Sequence, residues 1–119
     1  MSKKRIAIFG STGSIGTQAL EVIESNADLF QVEILTAQTN ETLLIQQAIK
    51  FKPNAIVIGD EKKYEKVKTE LSGTDVKVFC GEEALEEAAD FDTYDMMLAA
   101  IVGFAGLKPT LKAVKKANL

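Results

Sequence analysis

Arg5-Ile-Ala-Ile-Phe-Gly-Ser-Thr-Gly-Ser-Ile-Gly16 is the stretch that decides the fold. A short apolar run ends at Phe9 and meets glycines at 10, 13 and 16, after which Ile15, Ala19, Val22 and Ile23 recur at helical spacing. The order is strand, tight glycine turn, helix. The first turn of a helix leaves backbone N–H groups without partners and carries the positive end of the helix dipole, so an anion is favoured there. Gly10 permits a sharp exit from the strand, Gly13 removes a side chain that would hold a pyrophosphate off the backbone, and Gly16 lets the helix lie close on the sheet. Ser11, Thr12 and Ser14 add hydroxyl donors at the same mouth. The spacing Gly-x-x-Gly-x-x-Gly differs from Gly-x-Gly-x-x-Gly, and no Gly-Lys-Ser or Gly-Lys-Thr follows, which excludes a Walker-type loop. A turn that merely closes a βα unit is the plainer alternative, yet it needs neither three glycines nor three hydroxyls.

Working outward, Phe30–Ala37 alternates around Val32 and Ile34 as a second strand. Asn40 is placed to cap a helix in which Leu44 and Ala48, with Ile45 and Ile49, form i, i+4 pairs ended by Pro53. Ala55–Ile58 is a compact third strand, and Asp60 caps a helix buried through Tyr64, Val67 and Leu71. Val76–Cys80 is a fourth strand, followed by a short acidic helix with Ala84, Leu85, Ala88 and Ala89 inward. Glu82 and Glu83 suit its positive N-terminus and need no metal to explain them. Met96–Val102 is apolar throughout, as expected of a central parallel strand covered on both faces. A last helix, 107–117, tolerates Pro109 in its first turn and places Lys112, Lys115 and Lys116 near its far end. The sequence stops where a further strand is expected and reads as truncated.

Five strands alternating with helices predict an α/β fold with a doubly wound parallel sheet, a Rossmann-like NAD(P)-binding domain over residues 1–119. The expected strand order is 3-2-1-4-5, with Gly10, Ala37 and Gly103 gathered at the carboxyl ends where ligands bind.

Bulk properties narrow the function. At 119 residues one domain is the default, and a net charge of −3 argues against a nucleic-acid or anionic-membrane surface. Cys80 is alone and histidine is absent, which removes an intramolecular disulfide, cysteine metal clusters and the commonest general base. Four apolar residues after Arg5 are too few for a signal peptide, and no transmembrane segment is present.

The end of the second strand reads Thr36-Ala37-Gln38-Thr39-Asn40, with no acid before Glu41 to select NAD through a ribose 2′-hydroxyl. Neutral donors there accommodate a 2′-phosphate, although no Arg or Lys stands ready to clamp it, and Asn40 serves a cap equally well. Ala99, Ala100, Gly103, Ala105 and Gly106 leave the fifth strand's exit bare. That suits either a nicotinamide ring or close packing of a loop.

Together, Gly10-Ser-Thr-Gly-Ser-Ile-Gly16 and Ala99-Ala-Ile-Val-Gly-Phe-Ala-Gly-Leu-Lys-Pro-Thr110 resemble the 1-deoxy-D-xylulose 5-phosphate reductoisomerase family along the whole chain. The resemblance implies an amino-terminal NADPH-binding domain, a homodimer, and Mg²⁺ or Mn²⁺ held by a following catalytic domain. The family isomerises its sugar phosphate and then reduces the aldehyde with hydride from NADPH. Thr12, Gly13, Ser14 and Ile15 match the pyrophosphate segment. Gln38, Thr39 and Asn40 fall at the 2′-phosphate position, with Gln38 and Thr39 departing from the usual Gly and basic residue. Ala100 and Ile101 fall on the nicotinamide side. The family's Asn-Lys-Glu motif, metal ligands and substrate-phosphate residues are expected beyond Leu119, so no catalytic or metal residue is assigned and these residues alone are expected to be inactive. The lack of a transit segment favours a bacterial cytoplasm. Two alternatives are another NADP-dependent dehydrogenase, for which Tyr64 and Lys68 have the short-chain spacing but lie on a peripheral helix, and a non-enzymatic nucleotide-sensing or receiver-like module with Asp60 as phosphoacceptor.

Overall fold

In the computed structural model, which describes residues 3–91 and 93–100, apolar runs become strands and the amphipathic stretches between them become helices. β1 (Lys4–Phe9) is followed by α1 (Ser14–Ser25), β2 (Phe30–Ala37) and α2 (Glu41–Phe51). β3 (Ala55–Ile58) leads through a single 3-10 turn, Glu61–Lys63, into α3 (Tyr64–Glu70), then β4 (Lys77–Cys80), α4 (Glu82–Ala89) and β5 (Met96–Ala99). The expected helix 107–117, with Pro109 and its lysines, lies outside the described residues, as do Ile101, Val102, Gly103, Ala105 and Gly106.

All the strand pairings are parallel, and the order is β4-β3-β2-β1-β5. This corrects the expected 3-2-1-4-5. Three successive βα steps carry the chain outward on one side of β1, so β4 pairs with β3, and the crossover through α4 then returns β5 to the other side of β1. Right-handed crossovers therefore put α1, α2 and α3 on one face and α4 on the opposite face. The side chains agree: Ile6, Ile8, Leu35, Ile56 and Ile58 pack with Leu20, Ile23, Leu44, Ala48, Val67 and Leu71, whereas Ala7, Phe9, Ile34 and Val57 pack with Leu85, Ala88 and Ala89.

Three expected apolar positions turn out otherwise. Ile15 and Val22 on α1 are each 58% exposed, the buried stripe being Gly16, Leu20 and Ile23. On α2, Ile49 is exposed and Gln47 is buried beside Leu44 and Ala48. Among the described residues β5 is flanked by β1 alone and Met96 is exposed, while Ile101, Val102 and the helix expected after them lie outside the described residues. Val22, Ile6, Ile8 and Met96 line an apolar groove of about 310 Å³ between α1 and β5.

The second strand is not a plain alternation either. Val32 and Ile34 face opposite layers, because the pairing of β1 with β2 slips between Ile6 and Ala7 and leaves Glu33 as an extra residue, a bulge. At the opposite margin of β1, Arg5 grips β5: its guanidinium donates to Asp95 Oδ1 at 3.2 Å, and its backbone N–H donates to Asp95 Oδ2 at 2.9 Å.

Leu35→Ala deletes a fully buried side chain at the centre of the larger layer, and the urea midpoint is expected to fall by an amount equivalent to about 2–5 kcal/mol. The hydrogen bond from Arg5 holds the Asp95 carboxyl below the usual aspartate range. A carboxylate depressed in this way adds stability above its unfolded pKa of roughly 3.9, and the contribution is lost as pH falls through the lower folded value. Asp95→Asn is expected to reduce stability at neutral pH and to match the native protein once both carboxyl states are protonated, an outcome read from urea titrations across the acid range.

Candidate functional site

Of the strand ends named in the sequence, those at Gly10 and Ala37 lie side by side at one edge of the sheet, and Gly103 lies outside the described residues. Gly10 leaves β1 at φ +90°, a conformation that glycine adopts without the strain a Cβ would bring. Its N–H is shared between the carbonyl (3.1 Å) and Oγ1 (3.0 Å) of Thr36, and the N–H of Ser11 donates to the same carbonyl at 2.8 Å. The turn is thus strapped to the end of β2 before the helix begins. Ala100 completes the other side, donating from its N–H to the carbonyl of Phe9 at 2.8 Å.

Gly16 and Gly13 are glycines for different reasons. A Cβ on Gly16 would collide with the carbonyl oxygen of Gly10 and lie 2.7 Å from Ser11 Cα, so the helix touches the turn's backbone there. Gly13 has an ordinary extended φ of −80°, and a Cβ on it would meet only Gly10 O at 3.8 Å and Ala100 O at 4.0 Å. Among the described residues, neither sterics nor backbone strain requires a glycine at 13. What its missing side chain leaves is open space in front of the first turn of α1.

That first turn is electrically bare. Gly13 is the N-cap and supplies no side-chain acceptor, and α1 carries no acidic residue in its first turn. The amides of Ser14, Ile15 and Gly16 find no hydrogen-bond acceptor among the described residues. By contrast, Asn40 Oδ1 accepts from Leu43 N at 3.2 Å and Glu41 opens α2, while Glu82 and Glu83 open α4. An anion at α1 meets no competing carboxylate.

Thr12, Gly13, Ser14, Ile15 and Gly16 therefore stand together at one mouth. Ser11 does not: it is fully buried, and its hydroxyl donates inward to Gln47 Oε1 at 2.7 Å, which corrects the expectation of a third donor at the mouth. The motif records only that the residue is a small hydroxyl; the buried polar position on α2, one residue before Ala48, is the signal of its partner.

Gln38, Thr39 and Asn40 lie at the neighbouring strand end, held by hydrogen bonds from Gly59 N to Ala37 O and from Asp60 N to Gln38 O, both 2.8 Å. The Gln38 carboxamide occupies the space beside Gly59, where a Cβ would come within 2.7 Å of it. Gly59 was not singled out from the sequence, because its role appears only once the ends of β2 and β3 are side by side. Glu41, the first acid after β2, is ion-paired with Lys63, whose hydrogen bond holds the carboxyl below its usual range. Its charge is neutralised locally. Ile101 lies outside the described residues.

The rival constellations are occupied otherwise. Asp60 Oδ1 accepts from Lys62 N at 3.0 Å, capping the 3-10 turn that precedes α3, and Lys68 sits over the Tyr64 ring, 5.5 Å from its centroid. Burial, and then the charge of Glu61, push the Cys80 thiol up, away from nucleophilic character. No helix among the described residues is long and apolar enough to cross a membrane.

Comparison with known proteins gives the family of the chain. The family model of 1-deoxy-D-xylulose 5-phosphate reductoisomerase matches residues 6–118. The 1-deoxy-D-xylulose 5-phosphate reductoisomerase of Phocaeicola vulgatus is 52% identical over 113 residues, covering 95% of this chain and 30% of the relative. That of Bacteroides fragilis is 51% identical over 115 residues, with 97% and 30% covered. Among solved structures, the Zymomonas mobilis reductoisomerase in complex with NADPH superposes with a TM-score of 0.92 at 40% identity, covering 97% of this chain and 30% of that one. A reductoisomerase in complex with magnesium gives 0.88 at 32% identity, covering 94% and 28%. The chain spans about 30% of the length of the relatives it matches. It belongs to the 1-deoxy-D-xylulose 5-phosphate reductoisomerase family.

Proposed function

We propose that these residues form the NADPH-binding amino-terminal domain of an enzyme that converts 1-deoxy-D-xylulose 5-phosphate to 2-C-methyl-D-erythritol 4-phosphate in isoprenoid biosynthesis. The observation that carries this reading is the uncapped, acid-free start of α1 facing the space left by Gly13, in a chain 40% identical to one solved with NADPH.

In this reading the diphosphate of NADPH accepts hydrogen bonds from the first-turn amides of Ser14, Ile15 and Gly16, with the Thr12 and Ser14 hydroxyls beside them. Gly10 shapes the exit from β1. Gln38, Thr39 and the Asn40 amide group receive the adenosine 2′-phosphate, and the Glu41–Lys63 pair removes the nearest repulsion. Ala100, held against Phe9, and Ile101 bound the nicotinamide side through small or apolar bulk. NADPH supplies a hydride for reduction of an aldehyde; the chain's own residues bind and orient it. Among the described residues no group of three or more His, Cys, Asp or Glu side chains could hold a metal ion, so no step through Mg²⁺ or Mn²⁺ is assigned to them. Metal, sugar phosphate and catalytic groups are assigned to the part of the relatives that this chain does not span, and the full protein to a cytoplasmic homodimer. Residues 1–119 alone are expected not to oxidise NADPH when deoxyxylulose phosphate and Mg²⁺ are added, and steady oxidation would refute that division of labour.

In the full-length enzyme, Gly13→Val is expected to retain the fold and to raise the Kd for NADPH about tenfold or more, by occupying the mouth and obstructing several charge-assisted hydrogen bonds. Gly16→Ala is expected to unfold or strongly destabilise the domain, since its methyl has no room; thermal melts distinguish the two. Thr39→Glu is expected to raise the KM for NADPH about tenfold while leaving that for NADH nearly unchanged, the added carboxylate opposing only the 2′-phosphate. Equal effects on both cofactors would place the 2′-phosphate elsewhere.

A further inference from the structure

We propose that Gln47, midway along α2, is a positioning residue that fixes the orientation of the glycine turn and thereby the affinity for the cofactor. The proposal rests on reading that turn as the diphosphate site. Gln47 is 6% exposed, on a helix face otherwise built from Leu44, Ile45 and Ala48. An apolar side chain of similar volume would fill that place without the cost of desolvating a carboxamide. The carboxamide is instead satisfied by one residue of the turn, at two points. Its Oε1 accepts from Ser11 Oγ at 2.7 Å, and its Nε2 donates to the Ser11 carbonyl at 2.8 Å.

With the Ser11 N–H donating to the Thr36 carbonyl at 2.8 Å, each polar group of Ser11 is bonded from below. Residue 11 therefore cannot rotate about its backbone without breaking a buried bond. The peptide units of Thr12 and Gly13 follow directly, and their direction sets where the amides opening α1 point. Ser11 is 0% exposed, so neither it nor Gln47 is in a position to meet a nucleotide itself; they act through Thr12 to Ile15. Two-point recognition of this kind demands a donor and an acceptor on one planar group. Methionine offers neither bond of useful strength, and an ionised glutamate offers two acceptors, one of them directed at the Ser11 carbonyl. A protonated glutamic acid restores the pattern.

The test uses the full-length enzyme with Gln47→Met, Gln47→Glu and, as a control at the mouth itself, Gly13→Val. Gln47→Met is expected to raise the Kd and KM for NADPH about tenfold, with the KM for the sugar phosphate nearly unchanged. Gln47→Glu is expected to show a similar loss at alkaline pH. Its affinity for NADP⁺, measured against the native enzyme at each pH, should recover as the pH is lowered and the buried carboxyl takes up a proton. A folded Gln47→Met protein with native affinity, alongside a weakened Gly13→Val, would overturn the positioning role while leaving the site intact. Native affinity in Gly13→Val as well would overturn the site and this role together. Should Gln47→Met fail to fold, the Gln47→Glu profile decides: a relative affinity that does not vary with pH overturns the proposal.

Discussion

The contact on which the rest of the structure depends is the approach of α1 to the backbone of Gly10 and Ser11 at Gly16. Close packing of a helix against a peptide turn is possible only where one partner has no side chain, and here the clearance is too small even for a methyl group. From it follow the direction of α1 across the sheet, the burial of Leu20 and Ile23 against β1 and β2, and the exposure of amides at the helix start. The uncapped, acid-free start of α1 thus comes from packing and from residues without acceptor side chains.

Much of this was legible in the primary structure. Apolar runs separated by amphipathic ones specify parallel strands and covering helices almost by themselves, and three glycines at fixed offsets mark a turn that must be both sharp and open. The order of strands was not legible, because Val76–Cys80 could have paired on either side of the sheet. The half-exposed alternation of Lys77, Val78, Phe79 and Cys80, against the complete burial of Ala55 to Ile58, is the trace that a margin strand leaves. Ser11 was misplaced for a related reason. A hydroxyl beside a glycine turn looks like a ligand donor until its inward partner is known, and that partner lies thirty-six positions along the chain. Gln47 shows in the sequence only as a polar residue on the apolar face of α2, a trace that does not name its partner.

Charge is distributed with the same economy. Helices α2 and α4 begin with acids that satisfy their own dipoles, whereas α1 begins with none, and the acid nearest the end of β2 is held by Lys63. The first turn of α1 is therefore free of acids and the first acid after β2 is paired, in a chain of net charge −3. Net charge describes the surface as a whole; local pairing decides what one mouth will accept.

The bulge at Glu33 bears on all of this from several residues away. In the register that Lys4, Arg5 and Ile6 keep with β2, Leu35 would stand opposite Phe9, and the amide of Gly10 would meet a hydrocarbon flank where it now finds a hydroxyl. The one-residue slip advances the strand so that Thr36 arrives there instead, bringing Oγ1 and a carbonyl to the turn. What reads in the ladder as a skipped rung works as a vernier, setting the phase between a rigid sheet and the loop that leaves it.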